Sequence, residues 1–145
     1  MTDLTLQIAN AIVDGALLKA RNSGLAPLCV VVLDAGGHLR TAQREDGASF
    51  MRFSIALAKA SGAVGMGVAS RELGKMARER PHFMNALGNI AEGRLMPVPG
   101  GVLIRDADDL ILGAVGISGD LSDLDEGCAV AGIESVGLVA DCGKR

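Results

Sequence analysis

Few side chains in this sequence can do chemistry, and they are scattered. His38 and His82 are its only imidazoles, able to ligate a metal or move a proton near neutral pH. Lys59 stands among Ala56, Leu57, Ala58 and Ala60. A lysine on an apolar face loses proton affinity as water is stripped from it, which makes Lys59 a candidate base, imine-forming amine or carboxylate anchor. Arg44, Arg52 and Arg105 are candidates for a carboxylate-binding set, because guanidinium donors match that geometry in pairs. Gly100 and Gly101 can present bare backbone N–H groups to an anion. His82 shares an irregular stretch with Met76, Met84 and Met96, from which a side chain can reach a flat ligand. Each residue also has a plainer use. His38 can be a polar strand residue, Lys59 a lysine whose head reaches water, the arginines ion-pair partners of Glu45, Asp46 and Asp106, and the glycines turn formers. No Walker loop, nucleophile elbow or Cys/His cluster occurs, so no metal site is predicted.

These residues need elements to position them. Leu4, Ile8, Ile12 and Ala16 recur every four residues, which predicts an amphipathic helix stopping at Asn22-Ser23-Gly24. Residues 28–33 are apolar at odd and even positions alike, as in a strand covered on both faces. Asp34-Ala35-Gly36-Gly37 then turns the chain into a return strand over 38–44, whose alternation puts His38, Arg40, Ala42 and Arg44 on one face. A helix is predicted over about 48–64, with Phe50, Phe53, Leu57 and Ala60 inward and Lys59 beside them. The stretch 65–101 reads as an irregular flap with short helices at 71–78 and 81–90. A second hairpin follows, 101–105 with 110–118, then a helix from Ser122 to about 139, capped by Ser122 and started by Asp123, Asp125 and Glu126.

A hairpin followed by a helix thus occurs twice, and connections this short require antiparallel pairing. The expected fold class is α+β, a single antiparallel sheet of about five strands flanked by helices, rather than a doubly wound parallel sheet. That sheet is expected to bring His38, Lys59, Gly100 and Gly101 to one cavity.

Two segments carry a resemblance. The first is Val31-Val32-Leu33-Asp34-Ala35-Gly36-Gly37-His38-Leu39, continuing through Arg44-Glu45-Asp46-Gly47-Ala48 to Lys59-Ala60. The second is Gly100-Gly101-Val102-Leu103-Ile104, continuing through Ile111-Leu112-Gly113-Ala114-Val115-Gly116-Ile117-Ser118-Gly119 to Asp123 and Ala129. They resemble the GlcG/HbpS family, whose relatives include the C-terminal domain of PduO-type proteins. The resemblance implies a profilin-like arrangement, subunits assembled into dimers or larger rings, and haem or a related tetrapyrrole as the bound small molecule. Family members are described variously as haem-binding, haem-degrading or encoded beside catabolic enzymes. His38, His82, Arg44, Arg52, Arg105, Gly100 and Gly101 are then the candidate cofactor contacts. The rival expectation is an enzyme acting on a small carboxylate in a catabolic pathway, a deaminase, isomerase or lyase, with Lys59 or His38 as its acid or base.

Composition narrows the partners. The 145 residues suit one domain over 1–145, and 49% hydrophobic against 21% charged residues favours a packed core. With no Trp or Tyr, only Phe50, Phe53 and Phe83 as aromatics, and a net charge of −3, the chain has neither bases' stacking partners nor a basic excess, so nucleic acid is not an expected partner. No apolar run is long enough to span a bilayer, and Met1 to Thr5 show no basic leader. The three cysteines lack disulfide or zinc spacing, as expected in a reducing cytoplasm.

Overall fold

In a computed structural model of the chain, residues 3–143 are described; Met1 and Thr2, part of the stretch read above as leaderless, lie outside the described residues. The first helix, α1 (Leu6–Asn22), starts where Thr5 Oγ1 accepts the Ile8 N–H, and the left-handed Gly24 lets the chain leave it as the sequence predicts. The hairpin β1 (Cys29–Asp34) and β2 (Leu39–Arg44) leads into α2 (Met51–Met66), α3 (Ser70–Glu79) and α4 (Pro81–Ile90). The second hairpin, β3 (Gly101–Arg105) and β4 (Ile111–Ser118), leads into α5 (Ser122–Ser135) and β5 (Val139–Asp141). The strands form one antiparallel sheet in the order β2-β1-β4-β3-β5, the expected α+β class in a profilin-like arrangement.

The two sheet faces are covered differently. Val30, Val32, Val102, Ile104, Val115 and Ile117 face α1 and α5, packing with Ile12, Val13 and Ile133. On the other face Cys29, Val31, Leu33, Leu103 and Ala114 meet Ala56, Ala60 and Ala63 of α2. Each fully buried Val, Leu or Ile contributes about 1.5–3 kcal/mol, which offsets the cost of ordering so much chain. α2 can lie this close because the strands beneath it lack side chains at two points: a Cβ on Gly116 would collide with the Ala56 carbonyl oxygen, and one on Gly101 with that of Lys59.

Four local expectations are corrected. Phe50 is 81% exposed rather than inward, because it caps α2 from outside the first helical turn. Ser122 is the first residue inside α5, whose N-cap is Leu121; the start is secured instead by Asp125 Oδ1, which accepts the Asp120 N–H at 3.0 Å. The last helix stops at Ser135, since the left-handed Gly137 (φ 79°) turns the chain into β5 on the outer edge of β3. The alternation of the return strand breaks at a bulge: Leu39 pairs with Leu33 and Ala42 with Val31, two residues of the same face.

Candidate functional site

Lys59 lies in the middle of α2 and is only 2% exposed. Its Nζ donates to the Ile117 carbonyl at 2.8 Å and stands 3.4 Å from Asp125 Oδ2 on α5. Burial pushes the lysine's proton affinity down and that of the Asp125 carboxyl up, while each charge partly restores the other. Gly100, at φ 124°, passes so close that a Cβ there would lie 2.8 Å from Nζ. The amide of Gly101 is already taken, donating to Ser70 Oγ at 2.7 Å, so it is not held open for an anion. Nearby, Arg71 of α3 donates to Glu126 Oε2 at 3.0 Å and to Asp123. These charges tie α2, α3 and α5 together at the Ser118 end of the sheet.

The shared cavity expected from sequence does not form around these residues. Lys59, Gly100 and Gly101 do come together, yet they are sealed inside the protein. His38 belongs to the opposite end of β1, beyond Asp34, because Cys29 pairs with Ser118 while Asp34 pairs with Gly113. The same register divides the arginines. Arg44 pairs with Cys29 and donates to the Ala48 carbonyl, and Arg52 donates to Ser118 Oγ at 3.1 Å, both at the Ser118 end. Arg105 stands at the other end, 2.9 Å from Asp141 Oδ2, so the three are no single carboxylate clamp. His82 is exposed on the first turn of α4, where Arg80 lies over the Phe83 ring.

A cavity of about 580 Å³ opens elsewhere, between the β1–β2 turn, the last turns of α2 and the end of α4. Its walls are Ala35, Gly36 and Gly37 from the turn, Ser61, Gly62, Val64, Gly65 and Met66 from α2, and Leu87, Ile90, Ala91, Glu92, Arg94 and Leu95 on the far side. Volume and lining fall within the range of small-molecule sites. Gly62 makes room for Leu95, whereas a Cβ on Gly65 would meet nothing within 4 Å and project into open space. Arg94 is the one cation among the lining residues, and its contact with Glu92 is loose at 3.9 Å between exposed side chains. Among the described residues no three His, Cys, Asp or Glu side chains gather as a metal site.

A family model described as haem degrading protein HbpS-like matches residues 4–134. The chain belongs to the HbpS-like family. Solved structures agree in fold. A crystal structure of Streptomyces reticuli HbpS, in a double mutant, is 30% identical with a TM-score of 0.81, covering 94% of this chain and 89% of that one. A PduOC complex with haem is 23% identical at a TM-score of 0.85, covering 97% and 99%. Klebsiella pneumoniae protein ORFY is 24% identical at 0.83, covering 94% and 93%. No curated protein matches the chain.

The cavity of this HbpS-like chain is built largely from residues the sequence reading passed over: Gly62, Gly65, Met66, Leu87, Ile90 and Arg94. One signal for it was present. Glycine inside a helix costs up to about 1 kcal/mol relative to alanine, so Gly62 and Gly65 within α2 mark either close packing or open space. Both occur here.

Proposed function

We propose that this HbpS-like protein binds haem or a closely related tetrapyrrole in the cavity between the β1–β2 turn, α2 and segment 91–95. The carrying observation is the cavity itself: about 580 Å³, walled by Ala35, Gly36, Gly37 and Gly65, and so open to the close approach of a flat ring. Leu87, Ile90 and Leu95 supply apolar contact opposite, and Arg94 can exchange its loose partner Glu92 for a ligand carboxylate. Haem would bring an iron open to axial ligation, whose behaviour the surrounding residues tune. The family description and the haem complex of a structural relative support the same reading.

Catalysis on a small carboxylate through Lys59 has no comparable support, because its Nζ is occupied by Ile117 and Asp125 and it lines none of the cavities described. We further propose a cytoplasmic homo-oligomer. Cys29, Cys128 and Cys142 are free thiols, and no single described helix is long and apolar enough to cross a membrane. Phe50, Met51, Leu121 and Leu124 leave large apolar side chains exposed at the starts of α2 and α5.

Titration of the purified protein with haemin tests the ligand. A saturable, stoichiometric shift of the Soret band is expected, and a spectrum that only sums protein and free haemin would overturn the proposal.

A further inference from the structure

α4 ends in a turn whose backbone is closed and whose charged side chains are loose. The Glu92 N–H donates to the Asn89 carbonyl at 3.1 Å and the Gly93 N–H to the Gly88 carbonyl at 3.0 Å, the pair of bonds that closes a helix over a left-handed residue. Glu92 is that residue, at φ 55°, with Gly93 left-handed behind it at φ 80°. Glycine is the usual occupant of the first position, because a Cβ is disfavoured there. Glutamate holds it only with backbone strain, which directs attention to what its side chain does.

Beyond the turn the Arg94 N–H donates to the Ala91 carbonyl at 3.0 Å, and Leu95 packs so near α2 that a Cβ on Gly62 would lie 2.8 Å from Leu95 Cδ1. The chain on both sides of Arg94 is therefore fixed. Its guanidinium is not. None of the described residues accepts a hydrogen bond from it, and its ion pair with Glu92 spans 3.9 Å between side chains 58% and 80% exposed. Arg71 and Arg105, by contrast, each face two carboxylates, those of Asp123 and Glu126 and those of Asp109 and Asp141. Glu92 and Arg94 both line the cavity, and its other lining residues carry no charge. A carboxylate entering there meets one cation, whose existing pair is of the exposed kind that contributes little and which can offer two parallel N–H donors in exchange.

We infer that Arg94 selects the ligands of this cavity by a free carboxylate, and that Glu92 is a built-in competitor for the same guanidinium. The chemistry recognised is that of an acid side chain on a flat ring, as in a tetrapyrrole propionate; an esterified ring of the same shape escapes the selection. The inference rests on the haem reading above and adds which tetrapyrroles the site prefers.

The test titrates haemin and haemin dimethyl ester, the same ring with its acids masked, into full-length wild type, Arg94→Gln, Glu92→Gln and Glu92→Gly. Arg94→Gln should weaken haemin binding at least roughly tenfold and leave the ester unaffected. Glu92→Gln should strengthen haemin binding about two- to fivefold, again without effect on the ester. Residues that only shape the cavity would move both ligands together. Glu92→Gly removes the competing charge and gives the turn its usual residue, so haemin affinity should likewise rise, with the thermal midpoint of the ligand-free protein held or raised. If wild type binds haemin and its ester alike, or Arg94→Gln weakens both equally, the selection by Arg94 falls and haem binding stands. If removing the Glu92 carboxylate weakens haemin binding, the competitor role falls. If wild type shows no saturable haemin binding, the haem reading falls and the selection with it.

Discussion

Lys59 and Asp125, 66 residues apart in sequence, meet 3.4 Å from each other with side chains 3% and 1% exposed. An ion pair so enclosed loses most of its hydration, and its Coulombic gain repays that loss only while both partners remain. Lys59→Met leaves the Asp125 carboxylate buried without its cation and is expected to cost about 3–5 kcal/mol. Asp125→Asn should cost less, because its carbonyl oxygen can still accept the Asp120 N–H. Urea denaturation of both single variants and the double variant measures the coupling; additive losses would mean the pair contributes nothing as a pair.

The same pair sets a pH dependence whose sign follows from burial. Asp125 is held above its ordinary 3.8, so just above 3.8 the folded chain binds more protons than the unfolded one and this residue makes stability fall as pH rises. Lys59 is held below its ordinary 10.5, so just below 10.5 the unfolded chain binds more protons and stability rises with pH. Asp125→Asn should remove the acid-side contribution. It should also extend the alkaline one to lower pH, since Lys59 loses the charge that supports its proton. Unfolding free energies across pH, taken as wild type minus variant, check both signs; parallel curves would refute the assignment.

Close approach of α2 to the sheet makes Gly101 and Gly116 intolerant of side chains. An added Cβ would run into backbone oxygens of Lys59 and Ala56, which cannot rotate away as a side-chain tip can. Gly101→Ala and Gly116→Ala should each destabilise by about 1–3 kcal/mol, read as a lowered denaturation midpoint. Gly88→Ala, where nothing lies within 4 Å, is the control expected to be neutral or slightly stabilising.

The elements were legible in the sequence because their signals are local. The four-residue repeat of Leu4, Ile8, Ile12 and Ala16, the apolar run into β1 and the Asp34-Ala35-Gly36-Gly37 turn after it each announce themselves within a few residues. β5 has three residues and follows a helix, so no periodicity can develop in it. The site was less legible because its parts meet only through register. The pairing of Cys29 with Ser118 and of Asp34 with Gly113 sends Lys59's neighbours and His38 to opposite ends, and the extra residue at Arg40 undoes the alternation that had grouped His38 with Arg44. Nothing within α2 says that Gly62 meets Leu95 while Gly65 meets open space.

The exposed apolar residues at the starts of α2 and α5 predict self-association. Phe50, Met51, Leu121 and Leu124 are 81%, 58%, 72% and 43% exposed. The Arg52–Ser118 hydrogen bond brings the two regions to the same end of the sheet. Phe50→Glu with Leu121→Glu places charges where apolar surface would be buried, and should shift the protein to smaller species in analytical ultracentrifugation. An unchanged sedimentation profile would move the interface elsewhere.

Gly65 gives the most direct test of the cavity, because it separates ligand binding from folding. It lies in the last turn of α2 with ordinary helical backbone, and a Cβ added there would face open space, with nothing beyond its own helix turn within 4 Å. Leucine at this position should therefore leave stability unchanged or raise it by up to about 1 kcal/mol through helix propensity. The same side chain projects into the space proposed for the ligand. Gly65→Leu is expected to weaken haemin binding by at least roughly tenfold, the equivalent of about 1.4 kcal/mol, with the thermal midpoint of the ligand-free protein held or raised. Haemin affinity equal to wild type in a folded Gly65→Leu protein would place the ligand outside this cavity, whatever the residues on its rim.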